Sequence, residues 1–288
     1  MKKTLQHIRP LWLLNSILLY TLGAGIADYL GIIKDWHIYF IGLAWVLSLQ
    51  LAFQFLAAYF VSAAPLSNRE DEPQKMARDI PLWFGLTALT LTTSFTILLQ
   101  RNSALDNAVV LIMALIFVGA ISYALPPLRL IDSAYRGLLL SVLFANLMPA
   151  LAFVLQGAPL HRLVSMVTFP LTLLHYAMTL VFEFPAYASD VKHQRPTILM
   201  RLGWQRGILL IGVLNLSGFM ALGFAMLGGL PTQIGAPVFL VLPLALFLIW
   251  YFSRIADGAK PNWQALFIVA ILIYAFAAYL LAFSFWTR

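Results

Sequence analysis

Leu11-Trp-Leu-Leu-Asn15-Ser-Ile-Leu-Leu-Tyr20-Thr-Leu-Gly-Ala-Gly25-Ile-Ala-Asp28-Tyr-Leu30-Gly-Ile-Ile33 contains one acid and no base. A helix of that length crosses the ~30 Å hydrocarbon layer of a bilayer. The preceding Met1-Lys-Lys-Thr-Leu-Gln-His-Ile-Arg9-Pro10 is basic. A secretory signal would nevertheless have a shorter apolar core and a small-residue cleavage site. The run reads as a retained first membrane span. Eight more apolar stretches follow, at roughly 38–64, 81–100, 107–125, 137–156, 163–185, 207–228, 234–253 and 264–286. Each is near the ~20 residues a spanning helix needs. Each is too long for a barrel strand and lacks period-two alternation, which argues against a transmembrane barrel. The expected fold is an all-α integral membrane protein of about nine transmembrane helices. Residues 1–288 form one membrane domain, and 65–80 and 186–206 are polar segments on one side of it.

Composition agrees. Hydrophobic residues make up 62% of the 288 and charged ones 10%, with mean hydropathy +0.88. Soluble domains are about half apolar and a quarter charged, so lipid must cover this surface. There is no Cys, which excludes disulfides, zinc–thiolate sites, iron–sulfur clusters and a cysteine nucleophile. The five His are scattered and form no metal tract. The net charge of +7 does not indicate nucleic-acid binding, because the basic residues sit in short connections and not on one soluble face. Fourteen of the 18 Lys and Arg fall in the connections on the side of the N-terminus. The positive-inside rule then puts the N-terminus in the cytoplasm and the C-terminus outside. In a prokaryote this means the cytoplasmic membrane.

Acids discriminate best, because there are only eleven. Glu70, Asp71, Glu72 and Asp79 lie in one connection, Ala64-Pro-Leu-Ser-Asn68-Arg-Glu-Asp-Glu72-Pro-Gln-Lys75-Met-Ala-Arg78-Asp79. If the second helix continues past the membrane, Asn68 and Glu72 are four apart on one face. A second segment follows the sixth span: Glu183-Phe-Pro-Ala-Tyr-Ala-Ser-Asp190-Val-Lys192-His-Gln-Arg195-Pro-Thr197-Ile-Leu-Met-Arg201-Leu-Gly203. Facing helix ends of this kind offer hard oxygen donors suited to Mg2+, which completes its shell with water and substrate phosphates. Nearby Lys75, Lys192, Arg195 and Arg201 suit phosphate oxygens. Charges in short loops also simply mark the interface and set topology, and from spacing alone both readings stand. A third segment, Tyr123-Ala-Leu-Pro126-Pro127-Leu-Arg129, closes the fourth span. Alone it reads as a helix stop with an interfacial aromatic anchor.

Together the three segments resemble the UbiA superfamily of intramembrane prenyltransferases, whose members have about nine helices and aspartate-rich motifs after the second and sixth. In the first motif Asn68 and Glu72 stand where Asp is expected, and Ala64 and Pro65 replace the leading Asn-Asp. In the second, Asp190, Lys192, Thr197 and Leu202-Gly203 match. Ala186 replaces the first Asp, and Glu183 is a candidate for that acidic position. Tyr123-x-x-Pro126-Pro127-x-Arg129 and Arg9-Pro10 also match, and Gly23, Gly25 and Ala27 resemble the family's glycine-rich first helix.

The resemblance implies Mg2+-dependent transfer of a prenyl group from an allylic diphosphate to an aromatic or other lipid-soluble acceptor, as in quinone biosynthesis. It implies Asn68, Asp71, Glu72, Glu183 and Asp190 as metal ligands. Lys75, Arg129, Lys192 and Arg195 would hold the diphosphate. Tyr123 would stand near the reacting carbon, with Asp190 and Lys192 in catalytic roles. The partners implied are a prenyl diphosphate, a hydrophobic acceptor and membrane lipid. Two other readings remain at this point. One is a catalytically silent relative that binds an isoprenoid or a protein partner. The other is a nine-span transporter, disfavoured because the spans hold almost no charge.

Overall fold

The computed structural model describes residues 10–32, 35–62, 72–157 and 159–288, with the side chains of 61–62 and 72–78 left undescribed. Among the described residues nine helical stretches are long and apolar enough to span a membrane. They are α1 Pro10–Tyr29, α2 Trp36–Ser62, α3 Glu72–Arg101, α4 Asn107–Ala124, α5 Arg136–Val154, α6 Arg162–Lys192, α7 Trp204–Leu227, α8 Thr232–Ala256 and α9 Trp263–Trp286. The protein is a multi-pass integral membrane protein.

Local sequence sets the ends of these helices. Pro10 opens α1, where its missing N–H costs nothing. Asp106 caps α4 by accepting from the Val109 N–H at 2.7 Å, and Asn262 caps α9 by accepting from Ala265 at 3.2 Å. The apolar run 11–33 predicts a longer first helix than is found. It ends at Tyr29 because Gly31 takes φ +68 and the Ile32 N–H returns to the Ala27 carbonyl at 2.9 Å. Within α5, Val142–Leu147 forms a π segment just before Pro149. Proline removes one helix hydrogen bond and crowds the carbonyl four residues back, and a π turn accommodates both.

The helices close into a ring. α1 packs on α5 and α9, α2 on α3 and α4, α4 on α5, α5 on α6, α6 on α7 and α9, and α8 on α7 and α9. α2 and α5 are the most buried and α3 the least. Outward apolar side chains such as Leu227 (85% exposed) and Leu240 (74%) suit lipid contact. In lipid, helices associate through close backbone packing and hydrogen bonds, since lipid tails are as apolar as leucine. Trp45 Nε1 of α2 donates to Thr96 Oγ1 of α3 at 2.9 Å, and Ser16 of α1 donates to Gln50 of α2 at 2.6 Å. A Cβ on Gly23 would overlap the Pro149 carbonyl, so α1 and α5 touch backbone to backbone there. Gly23→Ala is expected to lower stability by about 1–3 kcal/mol, because neither backbone can move aside. Thermal unfolding in detergent micelles measures this, and an unchanged midpoint would contradict the close approach.

One expectation is corrected. Glu72 does not extend the second helix but opens α3. α2 and α3 pack side by side, so the chain reverses between Ser62 and Glu72. Asn68, Asp71 and the rest of 63–71 lie outside the described residues, as do the side chains of Glu72 and Lys75.

Candidate functional site

Successive crossings bring Pro10, the start of α3, the α4–α5 connection, the end of α6 and the α8–α9 connection to one end of the bundle. Most of the cations among the described residues lie at that end. α4 ends there with Tyr123 buried. A cis Pro126-Pro127 bond follows, and then Arg129 at φ +38, a left-handed conformation that costs energy for any residue but glycine. Arg129 Nη2 lies 3.0 Å from Asp132 Oδ2. Its Nε is buried with no hydrogen-bond partner among the described residues. Arg136 begins α5, and its Nε donates to Glu183 Oε1 at 2.7 Å.

α6 continues past Glu183 through a 3-10 turn, Phe184–Ala186, where Pro185 occupies a position that needs no N–H, and then through Tyr187–Lys192. Residues 183, 186 and 190 therefore follow helical spacing on one face. Ala186 sits between two acids, and both are buried: Glu183 is 6% exposed and Asp190 3%. Asp190 is also within electrostatic reach of Glu183. After Lys192 the chain folds back through Gln194 at φ +51, and the Arg195 N–H bonds the Asp190 carbonyl at 2.9 Å. Arg195 Nη1 stands 3.8 Å from Asp190 Oδ1, with the Arg195 side chain 68% exposed. Thr197 caps a short helix, Ile198–Leu202, by accepting from the Met200 N–H at 3.2 Å. Gly203, at φ +83, leads into α7. Arg201 Nη1 donates to the Tyr135 hydroxyl at 3.4 Å and lies 5.6 Å from that ring's centre. The Arg136–Glu183 and Arg201–Tyr135 contacts tie the α4–α5 connection to the end of α6.

Of the expected site residues, the structure thus places Glu183 and Asp190 together, with Arg195 beside Asp190 and Lys192 exposed on the same turns. Among the described residues no group of three His, Asp or Glu is arranged as a metal cluster. Two features fit a hard divalent cation. Glu183 Oε2 is buried with no hydrogen-bond partner among the described residues, and a second buried carboxylate follows seven residues later. Such oxygen donors suit Mg2+.

Toward the membrane interior lies a cavity of about 560 Å3, walled by α1, α5, α6 and α9, within the range of small-molecule sites. Its lining is mainly apolar, with Asn15, His175, Thr179 and Tyr274 as polar members. Leu11 and Leu14, 62% and 61% exposed, stand at its rim. An aromatic series connects Tyr123 to this cavity. Tyr123 packs on Phe53 (centroids 6.0 Å apart), Phe53 on Trp12 (6.4 Å), Trp12 on Phe144 (5.6 Å), Phe144 on His175 (5.9 Å) and His175 on Tyr274 (4.8 Å).

Sequence reasoning missed Arg136, Asn15, His175 and Tyr274. Arg136 carries no local sign, since its partner is 47 residues away. His175 had one: an ionisable group within a membrane span is a functional candidate by default.

Among the described residues, nine membrane-length helices, a pair of buried carboxylates at the basic end and a mainly apolar cavity define a multi-pass membrane protein with a chamber walled by its helices. No protein-family model and no curated protein matches the chain. Solved structures do match. A UbiA homolog from Archaeoglobus fulgidus bound to DMAPP and Mg2+ superposes with a TM-score of 0.67 at 16% identity, covering 97% of this chain and 99% of that one. The same homolog bound to GPP and Mg2+ gives 0.62 at 15% identity, and bound to Cd2+ it gives 0.63 at 15%, both with 97% and 99% coverage. Over nearly its whole length, the chain has the fold of these UbiA homologs.

Proposed function

We propose that this protein is a Mg2+-dependent intramembrane prenyltransferase, moving a prenyl group from an allylic diphosphate to an aromatic or other lipid-soluble acceptor, as in quinone biosynthesis. The observation that carries this reading is the end of α6. Glu183 and Asp190 are buried there on one face beside exposed Lys192 and Arg195. They lie in a fold whose Archaeoglobus counterpart binds DMAPP or GPP with Mg2+. Glu183 Oε2 and the Asp190 carboxylate would hold the ion, with Asn68 and Asp71 between α2 and α3 and Glu72 at the start of α3 as further ligands. Bound there, Mg2+ supplies positive charge against the departing diphosphate. Lys192, Arg195, Arg129 and Lys75 would hold phosphate oxygens through charge-assisted hydrogen bonds. The unpartnered Arg129 Nε supports that role. The aromatic series starting at Tyr123 offers ring faces to an allylic cation and keeps water from it.

A second reading, a silent relative that binds an isoprenoid without turnover, is favoured by one feature. Each buried acid already carries an arginine, Arg136 on Glu183 and Arg195 on Asp190. Membranes containing the full chain, incubated with radiolabelled GPP and a panel of aromatic acceptors, separate the two. Transfer that stops with EDTA and returns with excess Mg2+ is the expected result. Binding of GPP without transfer to any acceptor would select the silent reading.

A further inference from the structure

Among the described residues lining the chamber is an imidazole whose tautomer is fixed by its neighbours. His175 is 4% exposed and lines the cavity. Its Nδ1 lies 2.8 Å from Ser141 Oγ, and Ser141 Oγ lies 2.7 Å from the Gly137 carbonyl. A carbonyl only accepts, so the single serine proton goes to Gly137. Ser141 Oγ must then accept from His175, which puts the proton on Nδ1 and leaves the lone pair on Nε2. In that tautomer Nε2 is the ring's hydrogen-bond acceptor. The ring is held in place, packed tilted against Phe144 and edge-on to Tyr274. The Tyr274 hydroxyl donates to Asn15 Oδ1 at 2.9 Å, which leaves the Asn15 amide N–H groups as donors. The Thr179 hydroxyl is occupied by the Tyr176 carbonyl at 2.8 Å. None of the described lining residues is charged.

An apolar chamber lined by an imidazole acceptor and an amide donor suits a particular ligand class. We infer that the chamber binds an uncharged, largely apolar molecule bearing a hydroxyl, which donates to His175 Nε2 and can accept from the Asn15 amide. Naming this molecule the prenyl acceptor rests on the reading above; the hydroxyl recognition does not. His175 would then select and orient the ligand, and Ser141 would act as a positioning residue through the tautomer it imposes.

The test uses two probes of similar shape, 2-naphthol, which donates a hydrogen bond, and 2-methoxynaphthalene, which does not. Binding of each to the purified full chain in detergent micelles is measured by equilibrium dialysis. Partitioning into the micelle is common to all chains, so the readout is the naphthol-to-methoxynaphthalene affinity ratio relative to that of His175→Phe. The wild-type ratio is expected to be about tenfold higher, the weight of one buried hydrogen bond. Ser141→Ala should lose part of that preference without touching the ligand. Equal ratios in wild type and His175→Phe would overturn the inference. If His175→Phe does not fold, an unreduced preference in Ser141→Ala would overturn it instead. GPP binding with Mg2+ is measured on the same wild-type preparation. Absence of GPP binding sinks only the prenyltransferase reading. GPP binding without naphthol discrimination sinks only this one.

Discussion

Asp190→Asn is expected to reduce Mg2+-dependent prenyl transfer by about a hundredfold or more, the usual cost of removing one group aimed at charge developing in the transition state. The substitution keeps the shape of the side chain and removes only its charge. Its effect on folding should be small. The Asp190–Arg195 pair is 3.8 Å apart with Arg195 68% exposed, and pairs open to solvent contribute ~0–1 kcal/mol. Removing one of two buried acids also relieves repulsion with Glu183, which lies within electrostatic reach. Activity should therefore fall while the unfolding transition stays in place. Full activity in this variant would remove Asp190 from the metal site.

Arg136→Ala is expected to have the opposite profile, with a loss of stability of about 3 kcal/mol. Glu183 is 6% exposed and its Oε1 is held by Arg136 Nε at 2.7 Å. Removing the arginine leaves a carboxylate out of water without its counter-charge, which costs about 3–5 kcal/mol for a fully buried pair. Arg136 keeps 32% of its side chain exposed, so the lower end applies. The same reasoning predicts that Arg136→Met with Glu183→Met recovers most of the loss, because matched apolar replacements leave no stranded charge. Unfolding midpoints of the two single variants and the double variant measure the coupling. A double variant as unstable as the sum of its singles would show that the pair does not act as a unit.

The two variants also show which parts of the molecule a sequence discloses. Nine spans were legible because each needs about twenty apolar residues, a signal contained within one segment. α4 runs Asn107–Ala124 against an expected 107–125. α7 ends at Leu227 against an expected 228, and Gly229 follows at φ +113. Errors arose where backbone geometry decides. Gly31 stops α1 early, and α6 runs on to Lys192 because Pro185 falls at the start of a turn. Glu72 moved from one helix to the next because the reversal after α2 lies in a polar stretch without periodicity.

The site was legible only in part. Glu183, Asp190, Lys192 and Arg195 lie within one short segment, and helical spacing alone places the two acids on one face. Partnerships across the bundle could not be read. Arg136 meets Glu183, Arg201 meets Tyr135, and Tyr274 meets Asn15 from 259 residues away. Those pairings follow from ring closure of the helices, which no single segment encodes. His175 carried a sign of its own, a titratable ring in an apolar span. Its meaning came only with Ser141, Gly137 and the cavity.

On the proposed reading, the buried acids at the end of α6 bind a diphosphate through a divalent cation. The most direct measurement is calorimetric titration of GPP into the purified full chain, with and without Mg2+, for wild type and Asp190→Asn. The expected result is saturable binding to wild type that requires Mg2+ and that Asp190→Asn weakens severely. Binding of equal strength without the metal, or undiminished by the substitution, would contradict it.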